Sequence, residues 1–197
     1  MNNILDLIYQ IEPAFYSGGA NGADYLFTKY ALENNFTVFN FSFENHKSNC
    51  PEDTIYKLTT SMLVNDSVLN AIKDANRKIQ RKVPKVGSYV YNLLARNYYQ
   101  VFSTERVYAI SELINPCQIS GGTAWATQFY IDSEQENKEL YLFDLISKEP
   151  YQYDFNLKEY VKVNNIPAPH GRFTGIGSRK ATEHDFELMI QYFKMEK

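Results

Sequence analysis

Three glycine-rich stretches carry the residue types that could hold an anion. They are Ser17-Gly18-Gly19-Ala20-Asn21-Gly22-Ala23-Asp24, Ser120-Gly121-Gly122-Thr123 and Gly175-Ile176-Gly177-Ser178-Arg179. A short strand-like segment precedes each: Pro13-Ala14-Phe15-Tyr16, Cys117-Gln118-Ile119 and Arg172-Phe173-Thr174. A helical start follows each. Strand, glycine turn and helix together point free backbone N–H groups at an anion. Glycine permits both the tight turn and close approach to a phosphate. One such turn is weak evidence. Three in matching context suggest parallel strands delivering three loops to one edge of a sheet. On this reading Gly18, Gly19, Gly121, Gly122, Gly175 and Gly177 supply backbone geometry, and Ser17, Thr123 and Ser178 supply hydroxyls. Arg179 pairs with the phosphate, and Arg96 is the second basic candidate. The competing reading is three tight loops with no ligand.

Several side chains carry two readings. Asp24 lies near the first helix start, where it either favours the helix dipole or touches a ligand. Arg96 either reaches the anion or pairs with a carboxylate such as Glu105. Arg179 has Glu183 and Asp185 as alternative partners. Trp125 either stacks on a base or packs in the core. His46 and Lys47 sit in a polar loop, 42–53. Arg77, Lys78, Arg81, Lys82 and Lys85 read as a charged solvent face, with nucleic-acid contact as the alternative.

The elements around these residues read as an alternation of strands and helices. Residues 1–10 have a short helical pattern that stops before Pro13. Ala14 to Phe41 reads as a βαβ unit with a turn at Asn35, and its crossover is right-handed. Residues 53–75 look helical with a break near Asn65-Asp66-Ser67, and 86–96 is helical again. Arg106-Val107-Tyr108-Ala109-Ile110 is a strand. Cys117-Gln118-Ile119, a helix to about Ser133, and Leu140-Tyr141-Leu142-Phe143-Asp144-Leu145 read as a second βαβ unit. Residues 149–163 alternate aromatic and polar positions, which predicts one or two antiparallel strands. Residues 184–197 read as a closing helix.

With 197 residues the chain can bury one core. A formal net charge of −3 argues against a protein that grips nucleic-acid backbone. Cys50 and Cys117 form no metal motif and no disulfide scaffold. No signal peptide and no membrane-spanning run is visible. A reducing cytoplasm is the expected location. Sixteen Tyr and 13 Phe could line a groove, form an interface or fill the core.

The segments together resemble the SLOG superfamily, a Rossmann-like group that includes DprA, the cytokinin-activating LOG phosphoribohydrolases and YspA/YpsA-like proteins. The resemblance rests on Phe173-Thr174-Gly175-Ile176-Gly177-Ser178-Arg179, the first glycine loop, Ala95-Arg96-Asn97-Tyr98-Tyr99-Gln100-Val101, and Ser120-Gly121-Gly122-Thr123. It is greatest for a phage-associated group, which would place the protein in a host cytoplasm. Their order departs from the family's, in which the Gly-Ile-Gly-Ser-Arg segment comes first. The chain therefore resembles a circular permutant, a three-layer α/β Rossmann-like parallel sheet in one domain. Residues 151–170 would be an antiparallel addition or linker before the permuted 171–197 unit. Exchange of that unit between subunits is the alternative.

The resemblance implies a nucleotide or nucleotide-derived ligand and a homodimer or higher homo-oligomer, with residues 151–163 contributing to the interface. It implies neither a cofactor nor a metal. LOG-type hydrolases carry Pro-Gly-Gly-x-Gly-Thr-x-x-Glu. Here the segment is Ser120-Gly121-Gly122-Thr123-Ala124-Trp125-Ala126-Thr127-Gln128, and Gln cannot exchange a proton as Glu can. Binding without turnover is thus favoured. Nucleotide N-glycoside or phosphoester hydrolysis, with Asp24 in the acid's place, and DprA-like binding of single-stranded DNA are the alternatives.

Overall fold

Strands that are apolar on both faces need helices on both sides, and the central strands of this chain are of that kind. A computed structural model describes residues 4–102 and 104–194. In chain order, α1 (Ile4–Ile8), β1 (Ala14–Ser17), α2 (Ala23–Glu33) and β2 (Thr37–Ser42) come first. They are followed by β3 (Ile55–Lys57), α3 (Thr60–Leu63), α4 (Asp66–Lys78) and α5 (Tyr89–Val101). Next come β4 (Arg106–Ser111), β5 (Leu113–Asn115), β6 (Gln118–Ile119), α6 (Thr123–Asp132) and β7 (Glu139–Asp144). The chain continues through β8 (Pro150–Asp154), β9 (Glu159–Lys162), β10 (Ile166–Pro167), β11 (Arg172–Gly177), α7 (Glu183–Ile190) and β12 (Phe193–Lys194).

Eight strands form one sheet in the order β3-β2-β1-β11-β4-β7-β8-β9. The first six run parallel, and β8 and β9 close one side as an antiparallel pair. The result is a mixed, mostly parallel α/β sheet of Rossmann-like architecture. Side chains alternate between its two faces. Val107, Ala109, Leu140 and Leu142 pack with α4, α5 and α6 on one face. Phe15, Tyr108, Ile110, Tyr141, Phe143 and Phe173 pack with α2 and α7 on the other.

Local sequence explains the helices. Asn65 caps α4 by accepting from Val68 N (2.9 Å), and Val68, Ile72 and Ala75 then recur on one face. Ser88 caps α5 by accepting from Tyr91 N (3.2 Å). Thr182 and Asp185 close a capping box on α7. The aromatic excess is largely core. Tyr16, Tyr91, Tyr108 and Tyr130 are fully buried, and each phenol donates to a backbone carbonyl, of Ile8, Leu63, Pro167 and Glu105 respectively.

β11 lies inside the sheet of its own chain, paired with β1 (Phe15 opposite Phe173) and with β4 (Val107 opposite Thr174). Gly175 sits mid-strand, where α2 presses Phe27 onto the sheet. A Cβ at Gly175 would lie 2.3 Å from Phe27 Cγ. The glycine is therefore a contact requirement of the core.

Four local expectations need correction. Residues 55–57 form the edge strand β3, where the pattern suggested helix. β6 is not a strand of the main sheet; it pairs antiparallel with β5 in a small hairpin. The second crossover therefore runs β4–α6–β7, and the hairpin is inserted before its helix. Asp144 anchors that hairpin, accepting from Leu113 N and Ser147 N at 2.8 Å each. The last helix stops at Ile190, and Phe193–Lys194 pairs in parallel with Ile166–Pro167; the expected helical residues 195–197 lie outside the described ones.

Both edges of the sheet are short. β3 has three residues. β9 has four, and its Tyr160 N donates outward to the carbonyl of Pro116 (2.6 Å) in the β5–β6 hairpin. Among the described residues no helix is long and apolar enough to cross a membrane.

If β11 is a central strand under α2, Gly175→Ala overpacks the core against Phe27. The expected loss is about 1–3 kcal/mol of unfolding free energy, read by urea denaturation. An unchanged midpoint would show that α2 does not press on β11 at this position.

Candidate functional site

Parallel strands bring their C-terminal ends to one edge. The crossover helix α2 lies on one face of the sheet and α6 on the other. The strand order therefore reverses direction between β11 and β4, the place where open α/β sheets leave a crevice. A cavity of about 450 Å³ opens there. Gly177, Ser178 and Arg179 contribute from the end of β11, Ser111 from the end of β4, and Ser120, Gly121, Gly122 and Thr123 from the loop before α6. Val90, Leu93, Leu94 and Asn97 contribute from α5, Trp125 from α6, and Lys82 and Pro84 from the segment before α5. The cavity thus has an apolar wall and a polar, cationic end. A larger cleft of about 630 Å³ lies at the opposite ends of α5 and α6, lined by Val101, Phe102, Phe129 and Asp132 among others. No glycine loop reaches it.

The three glycine loops do different work. In the first, Gly22 has φ 81°, and a Cβ on it would stand 2.5 Å from the Ser178 carbonyl oxygen. Ala23 N donates to that same oxygen at 3.1 Å. The N-terminus of α2 is thus plugged by the third loop rather than open to a ligand. Gly18 lies under the side chains of Gln100 and Arg96, and Gly19 (φ 61°) lies against Ser48. Ser17 is fully buried and donates to the Gly175 carbonyl at 2.7 Å. Ser17, Gly18, Gly19 and Gly175 are therefore structural, and of the first stretch only Ala20 and Asp24 border the cavity.

Asp24 and Arg96 form the floor. Both are almost fully buried, with Arg96 Nη2 3.7 Å from Asp24 Oδ2. Asp24 also accepts from Gly177 N (3.1 Å) and Ala20 N (3.4 Å). Arg96 Nη1 donates to the Gly18 carbonyl (2.7 Å) and to His46 Nε2 (2.8 Å). With its carboxamide oxygen turned inward, Gln100 accepts from Gly18 N and Arg96 Nε at 3.1 Å each. Burial pushes the Asp24 carboxyl above its ordinary range, opposed by the Arg96 charge and the backbone donors. Asp24 is thus a tie between loops, and Arg96 braces that tie from α5; Glu105 pairs instead with Arg172 (2.8 Å).

A guanidinium can only donate, so His46 Nε2 must accept. Its Nδ1 therefore carries the proton and faces Ser42 Oγ (3.0 Å). Burial, with the Arg96 and Arg179 charges, pulls this imidazole down to about 4.

The second and third loops are different. Gly121 has φ 67°, which favours glycine. Gly122 has an ordinary helical φ of −66°, and a Cβ on it would meet nothing within 4 Å. Neither backbone nor packing accounts for the glycine at 122. Arg179 is exposed and makes no hydrogen bond or ion pair among the described residues. Its alternative partners are taken: Glu183 pairs with Lys29 (3.7 Å) and Asp185 with Lys148 (2.6 Å). Trp125 is half-buried in the wall, and its Nε1 has no acceptor among the described residues.

Sequence reasoning brought Asp24, Arg96, Gly121, Gly122, Thr123, Gly177, Ser178 and Arg179 to the cavity, where the structure also has them. It missed Val90, Leu93, Leu94 and Asn97. Their spacing of three, four and seven residues marks one face of a helix, a signal lost when 86–96 and 95–101 are read apart. It also missed Ser111, Lys82 and Pro84 as neighbours, and did not single out Ser120 within its loop. Among the described residues, no group of three His, Cys, Asp or Glu could hold a metal ion.

Comparison with family models, with curated proteins and with solved structures finds no match in any of the three. The class established is therefore the α/β one, with a mostly parallel eight-stranded sheet and a crevice at its reversal point.

Arg96→Ala leaves Asp24 buried without its cation, and a loss of about 3–5 kcal/mol of stability is expected in urea denaturation. A loss under about 1 kcal/mol would remove the pair from its role as the floor.

The His46 imidazole predicts a pH dependence. Its folded value lies below the ordinary 6.5, so the unfolded chain binds the proton more readily. Stability is full above about 6.5 and falls as pH drops towards 4. His46→Gln keeps an acceptor for Arg96 and a donor for Ser42 but does not titrate. The wild-type melting temperature should therefore fall relative to this variant between pH 7 and 4.5. Parallel pH profiles would show that His46 protonates without penalty.

Proposed function

We propose that the cavity binds a nucleotide or nucleotide-derived molecule through its phosphate, without turnover, as a sensor or sequestering protein. One observation carries this reading. Gly122, at the open N-terminus of α6, is a glycine with no steric reason to be one, and it shares a cavity with the unpartnered Arg179. A side chain at 122 would occupy the space a phosphate needs near the Gly122 and Thr123 N–H groups. Arg179 supplies the opposing charge. Val90, Leu93, Leu94 and Trp125 offer a base or sugar an apolar wall. Asp24, the candidate acid of the hydrolytic alternative, has both carboxylate oxygens engaged, which supports binding over turnover.

The strand order supports the reading of the chain as a permuted SLOG-type domain. Counted from β11, the parallel strands β11, β1, β2, β4 and β7 lie in the spatial order third, second, first, fourth, fifth, with β3 added at the edge. That is the order of doubly wound nucleotide-binding sheets. The proposed permutation places the family's first strand at β11.

The test is thermal shift with the mono-, di- and triphosphates of the common nucleosides, followed by chromatography of each mixture. Stabilisation by a nucleotide recovered unchanged is expected. Released base or phosphate would replace binding by hydrolysis, and no shift with any nucleotide would overturn the reading. Arg179→Ala should weaken the binding nucleotide by about 1.5–3 kcal/mol in calorimetry. Gly122→Ala should retain the wild-type melting temperature or exceed it slightly while losing affinity. Equal affinity in both folded variants would remove the two loops from the site.

A further inference from the structure

A Cβ at Gly121 or Gly122 would meet nothing within 4 Å, and glycine on both sides leaves the peptide between them few steric restraints on its orientation. Only one of its two orientations is useful. In a trans peptide the C=O and N–H point in opposite directions, so whatever fixes the Gly121 carbonyl also aims the Gly122 N–H. Arg81 does this. Its Nη1 donates to the Gly121 carbonyl at 2.6 Å, and its guanidinium carbon lies 4.5 Å from the centre of the Trp125 ring. Asn97 repeats the arrangement one peptide on, its Nδ2 lying 3.4 Å from the Gly122 carbonyl. Arg81 itself is not among the residues that line the cavity.

We infer that Arg81 is a positioning residue for the anion loop. It holds the Gly121 carbonyl outward so that the Gly122 N–H is presented to a phosphate, and its charge polarises that peptide further. The inference rests on the phosphate-binding reading of the cavity and adds a residue that never touches the ligand. A guanidinium suits the task because one nitrogen can bond the carbonyl while the planar group covers an aromatic ring. The segment carrying Arg81 runs from Gln80 (φ 54°) to Gly87 (φ 76°) and includes Lys82 and Pro84 of the cavity wall. The contact with Gly121 therefore also anchors that wall to the loop.

The experiment uses the full chain in two arms. In the first, without ligand, amide hydrogen exchange at Gly122 and Thr123 and the emission of Trp125, the chain's single tryptophan, are measured in wild type, Arg81→Ala and Arg81→Lys. Arg81→Ala should speed exchange at Gly122 several-fold and shift the emission. Unchanged exchange and emission would overturn the inference, and would do so whatever the protein binds. In the second arm, AMP and adenosine are titrated and followed by Trp125 fluorescence. Arg81→Ala should lose about tenfold in affinity for AMP, with Arg81→Lys recovering part of it, while adenosine affinity stays unchanged. Equal losses for AMP and adenosine would mean a collapsed wall rather than a misaimed peptide, and would overturn it. Failure of the wild type to bind either probe, with exchange at Gly122 still dependent on Arg81, would count against the nucleotide reading and leave the clamp standing.

Discussion

A carboxylate and a guanidinium buried side by side hold the working edge of this protein together. Each would be costly to bury alone. Asp24 lowers the cost by taking backbone N–H groups from two different loops, at Ala20 and Gly177. Arg96 lowers it by donating to Gly18, His46 and Gln100. The pair and its partners come from five pieces of chain: α2, α5, the ends of β1 and β11, and the loop after β2. The pair therefore fixes how those pieces meet. Arg96 commits its Nε and Nη1 donors to protein acceptors and turns Nη2 towards Asp24, whereas Arg179 stands at the cavity with its side chain uncommitted.

The three loops look alike in sequence and differ in cause. In the first, the glycines answer to positive φ, to the Gln100 and Arg96 side chains, and to the backbone of the third loop. In the second, Gly122 answers to none of these. Sequence alone registers a glycine but not the atoms that would collide with its missing side chain. That is why Ser17, Gly18, Gly19 and Gly175 were legible as glycine-loop residues, whereas their packing behind the cavity lining was not. Asp24, Gly122 and Arg179 were legible for a firmer reason. Helix starts and strand ends at the C-terminal edge of a parallel sheet converge by topology, whatever the loops between them do.

The same contrast runs through the fold. The β1–α2–β2 unit, the antiparallel β8–β9 pair and β11 were readable because each has a clear period or a clear punctuation. β3 was not, since three residues between a turn and a helix carry no period of their own. The β5–β6 hairpin was misread because Cys117-Gln118-Ile119 stands directly before a glycine turn, as a main-sheet strand would, and only Asp144 and the β4 terminus show where it folds back. The aromatic excess left groove, interface and core open. Burial resolves most of it, since the large rings fill both faces of the sheet and their hydroxyls fasten helices and loops to backbone carbonyls.

The short edges have a consequence for how the molecule behaves in a crowded solution. A parallel sheet with open flanks is a template for cross-strand addition, and misassembly along it is self-propagating. Here one flank offers three residues. The other flank has one of its outward donors already satisfied by Pro116. Little backbone is left at either side for a foreign strand to zip onto. A wide, aromatic-rich sheet thus exposes little unpaired edge backbone to strand addition.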